Sequence, residues 1–313
     1  MELRQLQTFR AVAQSLSFTR AAEALSYAQS SVTGQIQALE EELGVRLFER
    51  LGKRITLTPP GEQLLWYTER LLKLADEARE AVARHDGEPS GPLLIGSPES
   101  LATYRLPPIL QRFRQRYPQV QVTLRPGVCS DLMRQLSEGL LDLVFILQEP
   151  VQPPHLTVYP LRREPLQALA HPEHPLAARC GIDLADLQGE SLLVTEQGCA
   201  YRELIEQEME RRSVRPASSL EFGSIEAIKQ CIAADMGLAV LPAMTAEHEV
   251  QEGRLAALPW QGPGYEVVTQ VAHHKDKWIS PAMRAFLTTT FELFPPLDLT
   301  PRSIRIVEER TRP

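Results

Sequence analysis

Residues 17–64 constrain this chain more than any other stretch, because two short helical patterns, a tight connection and a basic hairpin follow one another there. Just before it, Leu6, Phe9, Val12, Ala13 and Leu16 recur at steps of three and four, the period of an amphipathic helix starting near Leu3. Ser17 can cap the next helix, Phe18–Leu25, by accepting from an otherwise unpaired amide. Only Ser26, Tyr27 and Ala28 join it to a third helix, Gln29–Leu43, so the two must cross steeply. In that third helix Val32, Ile36, Leu39 and Leu43 share one narrow arc and are expected to face the core.

The opposite face carries Ser30, Thr33, Gly34, Gln37 and Ala38. Small hydroxyl and amide groups around a glycine suit close approach to a groove floor: glutamine pairs with adenine, and serine or threonine serves any base. Gln29, Ser30, Ser31, Thr33 and Gln37 are therefore the candidate DNA-reading residues. Residues 47–50 and 54–58 then read as two short strands around Leu51-Gly52-Lys53. Arg50, Lys53 and Arg54 on this hairpin are expected to meet phosphates or the minor groove. The formal net charge of -7 does not exclude such a partner, because Arg46, Arg50, Lys53 and Arg54 form a local patch opposed only by Glu49. A helix-turn-helix followed by a wing is the reading of this segment, with Pro59-Pro60-Gly61 ending the wing.

From residue 62 to about 84 no glycine or proline interrupts a helical pattern. Leu64, Leu71, Ala75, Ala78 and Val82 fit heptad a and d positions, with Thr68 as a polar exception, and the stripe is expected to pair with a second copy. The run 87–92, rich in glycine and proline, marks a domain boundary. Beyond it strands and helices alternate: strand 93–96, helix 102–116, strand 121–124, helix 131–138 and strand 141–147 give βαβαβ order and a parallel sheet. A second series follows a proline-rich crossing at 148–154, with strands at 157–161, 167–170, 192–195, 220–222 and 238–241. Strand 267–272 and helix 281–293 are expected to return to the first sheet, giving two lobes with a cleft between them. With 313 residues there is length for several domains. No run approaches a membrane span, no secretory signal opens the chain, and Cys129, Cys180, Cys199 and Cys231 form no Cys-x-x-Cys pair. A cytoplasmic protein with reduced thiols is expected.

Several words of the sequence carry a family resemblance: Phe9-Arg10-Ala11-Val12-Ala13, Ser17-Phe18-Thr19-Arg20-Ala21-Ala22-Glu23-Ala24-Leu25, Gln35 through Gly44, Leu47-Phe48-Glu49-Arg50 and Leu57-Thr58-Pro59-Pro60-Gly61. At this spacing they resemble the LysR-type transcriptional regulators, more loosely through Leu141-Asp142-Leu143, Gly198-Cys199-Ala200-Tyr201-Arg202 and residues 237–242. The resemblance implies an α/β multidomain protein. Its parts are a winged helix-turn-helix (1–61), a long dimerising linker helix and hinge (62–91), a two-lobed α/β effector domain resembling type 2 periplasmic binding proteins (92–293) and a tail (294–313). The lobes are expected at about 92–150 with 265–293, and 151–264. Implied partners are double-stranded DNA, a small organic anion as effector and further copies of the chain, as a dimer through 62–84 and a tetramer; no cofactor, metal or membrane is implied. The sequence departs from the family in two places. Ala28 stands where the helix start often has serine, and Gly34 where a large basic residue often follows the hydroxyl.

In a two-lobed cleft, ligand groups come from strand ends and helix starts, where free amides favour anions. Ser97 and Ser100 lie between the first strand and its helix, and Cys129 lies after the second strand in what resembles another effector loop. Thr195 and Glu196, and Phe222 and Gly223, end strands of the second lobe. Glu99 and Glu196 raise a cationic or amino-bearing ligand as the alternative to an anion. Two other functions compete with this reading. Cys199 precedes a helix with Arg202 near it, as a redox sensor requires, but residues 203–212 contain no resolving cysteine. A metal-dependent enzyme is disfavoured because the prolines around His171 and His174 prevent a shared helical face and His273 and His274 alternate on a strand.

Overall fold

The structure, a computed structural model, describes residues 1–51, 54–83, 88–261 and 264–298. The chain forms two compact units, Met1–Gly87 and Glu88–Pro313.

In the first unit, α1 (Leu3–Ser15), α2 (Phe18–Leu25) and α3 (Gln29–Leu43) precede an antiparallel hairpin of β1 (Phe48–Leu51) and β2 (Arg54–Leu57), and α4 (Pro59–Ala83) follows. Ser17 caps α2, its hydroxyl accepting from the Arg20 amide at 3.3 Å, whereas Ala28 gives α3 no side-chain cap. Phe9, Val12, Ala21, Val32, Ile36 and Leu39 are buried together, and the Phe48 ring of the hairpin packs 5.4 Å from Phe9, tilted, and 5.9 Å from Phe18, edge-on. Leu43 does not join them. In the last turn of α3 it lies past the core and is 39% exposed.

The Pro-Pro-Gly run begins α4 rather than ending the wing. Thr58 accepts the Gly61 amide at 3.1 Å and donates to the Arg46 carbonyl at 2.6 Å, while the prolines occupy first-turn positions that need no amide hydrogen. Gly61 is required by close approach, since a Cβ there would stand 2.1 Å from the Leu47 carbonyl oxygen. The heptad reading of α4 also needs correction. Thr68 is fully buried and Leu72 nearly so within the single chain, because this face of α4 packs on its own unit, with Leu64 and Leu65 against the core. Tyr67, Leu71, Leu74 and Val82 remain as an exposed apolar stripe.

The second unit contains β3 (Gly91–Ser97), α5 (Glu99–Tyr104), α6 (Leu106–Arg116), β4 (Val120–Pro126), α7 (Cys129–Ser137), β5 (Leu143–Gln148) and β6 (Leu156–Arg163). It continues with β7 (Leu166–Ala170), β8 (Ser191–Thr195), α8 (Ala200–Arg211), β9 (Ser218–Phe222), α9 (Ile225–Ala233), β10 (Ala239–Pro242), α10 (Glu247–Gln251), β11 (Ala256–Ala257), β12 (Val268–His274) and α11 (Pro281–Leu293). The first lobe has a five-stranded sheet in the order β4-β3-β5-β12-β6, in which β3 runs parallel to β4 and β5 and the returning β12 is antiparallel to β5 and β6. The strand expected at 157–161 therefore belongs to the first lobe, not the second. Its pairing along β12, from Val268 opposite Arg163 to His274 opposite Leu156, fixes it there. The second lobe is built on β10-β7-β11 and the parallel pair β8-β9, joined by a bridge between Leu192 and Leu238.

The single helix expected at 102–116 is broken at Arg105, where Pro107 and Pro108 open α6. The break turns Arg105 inward onto Glu164, with both guanidinium–carboxylate contacts at 2.7 Å. Glu164 is 2% exposed, accepts the Thr269 hydroxyl at 3.1 Å, and donates its amide to the Val267 carbonyl at 2.8 Å. Both segments that cross between the lobes are tied at this point.

Candidate nucleic-acid interface and effector cleft

Packing Val32, Ile36 and Leu39 inward leaves Gln29, Ser30, Ser31 and Gln37 exposed on α3, with Thr33 half-buried. Their hydrogen bonds are local. Thr33 donates its hydroxyl to the Gln29 carbonyl at 3.0 Å, keeping its lone pairs for an outside donor. Thr19 of α2 donates to the side-chain oxygen of Gln29 at 3.3 Å, which leaves the amide NH2 for a base or phosphate. A Cβ at Gly34 would meet nothing within 4 Å, so this face is open at its centre. Glu40, which the sequence reading did not single out, organises the start of the hairpin: it accepts the Leu47 and Phe48 amides at 2.8 and 3.3 Å and pairs with Arg46 at 3.3 Å. Arg50 and Arg54 sit opposite one another's neighbours on the hairpin backbone; their side chains, and all of Lys53, lie outside the described residues.

In the second unit one cavity lies where the lobes meet. Pro98, Glu99, Ser100, Val128, Cys129 and Leu147 line it from the first lobe, and Thr195, Glu196, Cys199, Ala200, Tyr201 and Ile225 from the second. Its volume of about 20 Å³ is room for about one water. Gly198 makes the close approach possible. Its φ is +85°, and a Cβ there would stand 3.1 Å from Val128 of the other lobe. Glu99, at the start of α5, reaches across to the start of α9, where its carboxylate accepts the Ile225 amide at 2.9 Å and lies 3.4 Å from the Ser224 hydroxyl. At the far end of α5 the Lys229 ammonium of α9 lies 5.6 Å from the Tyr104 ring. Burial penalises that ammonium, but Glu226 and Glu249, each 2.7 Å away, more than offset the penalty and hold it above the ordinary lysine range.

Of the expected effector residues, Ser100, Cys129, Thr195 and Glu196 line this cavity. Ser97 does not; it is buried and donates to the Pro98 carbonyl at 3.1 Å. Phe222 and Gly223 do not either, because β9 ends with Phe222 packed on the core, and Ser224 and Ile225 just after them supply the contacts instead. Thr195 is 4% exposed, and its hydroxyl has no hydrogen-bond partner. A roomier space of about 410 Å³ lies between α8 and the second-lobe strands, lined by Ile205, Met209 and Val214 among others. Of its two arginines, Arg202 is already bound to Glu206 and Glu221, both at 2.7 Å, while Arg215 lies at the rim with Glu210, Ser213 and Ser219.

The thiols do not suit redox sensing. Burial pushes Cys129 up to about 12, and its sulfur is engaged by the Leu147 backbone. Burial also raises Cys199. Among the described residues no group of three or more histidine, cysteine or acidic side chains is placed to hold a metal ion. No helix among them is long and apolar enough to cross a membrane.

A winged helix-turn-helix in one unit and a two-lobed cleft in the other define a DNA-binding regulator that carries a ligand-binding domain. The comparisons give the family. Residues 3–62 match the bacterial regulatory helix-turn-helix of the lysR family, and residues 86–294 match the LysR substrate binding domain. The chain is 44% identical over 295 residues to the uncharacterized HTH-type transcriptional regulator YwqM of Bacillus subtilis, covering 94% of this chain and 100% of that one. It is 35% identical over 289 residues to the regulator GltR of the same organism, with coverages of 92% and 95%. Among solved structures it resembles full-length CbnR complexed with its target DNA, with a TM-score of 0.69, 25% identity and coverage of 93% of this chain and 99% of that one. A full-length OxyR variant from Pseudomonas aeruginosa gives a TM-score of 0.72 at 25% identity, covering 96% and 99%. The protein belongs to the LysR family of DNA-binding transcriptional regulators, with an effector-binding domain after its helix-turn-helix.

Proposed function

We propose that the protein acts in the cytoplasm as a homodimer, and on DNA as a homotetramer, whose grip on an operator changes when a small molecule enters the cleft. The open polar face of α3 carries this reading. Gln29, Ser30, Ser31, Thr33 and Gln37 read base edges or phosphates there, and Arg50, Lys53 and Arg54 of the hairpin add salt-dependent affinity. The exposed apolar stripe of Tyr67, Leu71, Leu74 and Val82 on α4 supports pairing with a second copy, since a lone soluble chain gains nothing from leaving it in water. Ser100, Cys129, Thr195 and Glu196 form the effector site with Glu99 and Ile225. An anionic group on the effector is supported by the start of α9, which donates its Ile225 amide to the Glu99 carboxylate.

The test combines footprinting on the promoter region of the protein's own gene with a metabolite screen by thermal shift. Two protected half-sites about 34–36 Å apart, or a multiple of that, are expected of a dimer. A protein that stays monomeric at micromolar concentration, or binds random duplex as tightly as the protected site, would sink the reading. Thr195→Val is expected to abolish the response to any compound that stabilises the wild type while sparing DNA binding.

A further inference from the structure

The cleft contains a carboxylate bound to a helix start, and both belong to the same chain. Glu99 of the first lobe accepts the Ile225 amide of the second at 2.9 Å, with the Ser224 hydroxyl 3.4 Å away. The nine-residue α9 presents the positive end of its dipole there, together with the first-turn amides that no residue within the helix can accept. The contact thus shows what chemistry this helix start takes: a carboxylate approaching from the opposite lobe. Beside it the Thr195 hydroxyl is 4% exposed and unpartnered, a buried polar group that a ligand atom would complete.

The charge of the lining sets a second demand. Glu99 and Glu196 line the cavity and no lysine or arginine does. The nearby arginines are engaged elsewhere, Arg105 with Glu164 and Arg202 with Glu206 and Glu221. A ligand that was only an anion would free Glu99 from α9 and then face two carboxylates in a site of low dielectric. A ligand that was only a cation would leave the start of α9 to Glu99 and gain nothing from it.

We propose that the effector is a small zwitterion of the α-amino acid type, and this rests on the reading of the cleft as the effector site. Its carboxylate replaces that of Glu99 on the Ile225 amide and Ser224 hydroxyl. Its ammonium pairs with the released Glu99 and with Glu196, and Thr195 supplies the remaining hydrogen bond. Entry requires the lobes to part, because the cavity has room for about one water. The same motion withdraws Glu99 from α9, since the two lie on different lobes. Glu99 is then both the seal of the closed cleft and a specificity-determining residue of the open one.

The experiment is a thermal-shift and calorimetric titration of the full-length protein with each standard L-amino acid, beside its deaminated acid and its decarboxylated amine. One amino acid, or a narrow set, is expected to raise the melting temperature while the matched acid and amine do not. Glu196→Gln should weaken that binding about ten- to a hundredfold, the loss of one charge-assisted hydrogen bond. Glu99→Gln, which keeps the size and an acceptor oxygen, should weaken it over the same range, so one folded variant of the two suffices. The proposal is overturned by an acid that binds as tightly as its amino acid, by tighter binding in either variant, or by no response to any amino acid. A response to some other compound that Thr195→Val abolishes would overturn the zwitterion and keep the cleft. An amino-acid response untouched by all three substitutions would overturn both.

Discussion

On α3 the side chains of Gln29, Ser30, Ser31 and Gln37 face solvent with only local bonds among them, whereas at the lobe junction polar groups are turned on one another across long stretches of chain. Arg105 is held by Glu164, Glu99 by the start of α9, and Cys129 by the Leu147 backbone. The difference follows from what water can do in each place. An exposed donor on a reading face is satisfied by solvent until a base or phosphate replaces it, so leaving it free costs little. A buried donor has no such substitute, and leaving it unmade costs about 1–3 kcal/mol. A surface built for an external partner keeps its groups open; a cleft that closes must satisfy them from within, and Thr195 is the exception that a ligand would mend.

The contrast is sharpest in what substitutions should do. Glu164→Ala strands the Arg105 guanidinium, which is only 14% exposed, and is expected to cost about 3–5 kcal/mol in urea unfolding of the protein. A loss under about 1 kcal/mol would show that the junction is not internally satisfied. On α3, Thr33→Ala or Gln37→Ala should leave stability nearly unchanged and lower specific affinity by about 1–3 kcal/mol, with random duplex largely spared. Equal loss on specific and random DNA would show that these residues do not read bases. Arg50→Ala should instead weaken all sequences and reduce the salt slope by about one. Gly34→Ala should stabilise the protein by about 1 kcal/mol, because the position is helical and open. If the same variant loses operator affinity, the glycine serves close approach to the groove; if affinity holds, the face tolerates a methyl. The smallest effect is chemical. At neutral pH an alkylating reagent should modify exposed Cys180 first and leave Cys129 last, and peroxide should not alter DNA binding.

The first unit was largely legible because its determinants are local. The Ser17 cap acts over three residues, and the three-and-four spacing of Val32, Ile36 and Leu39 selects the face that α3 buries. Where local pattern misled, a neighbour had intervened. Thr58 and the Leu47 carbonyl turn Pro59-Pro60-Gly61 into a helix start, and the core of the unit claims Thr68 that the heptad reading gave to a partner. In the second unit the order of strands and helices announced two lobes and the return of the last strand. It did not place Leu156–Arg163, whose pairing with β12 is separated from it by the whole second lobe.

By itself the sequence determined most of the helices and strands, which face α3 presents, and the family to which the chain belongs. Periodicity, caps and charge act within a few residues and leave their mark in the order of the letters. The tertiary structure alone decided which polar groups meet. Glu99 and Ile225 lie 126 residues apart and Arg105 and Glu164 lie 59 apart, and no local rule joins them. Burial does, by making every unpaired charge at the junction costly enough that the fold must supply its partner.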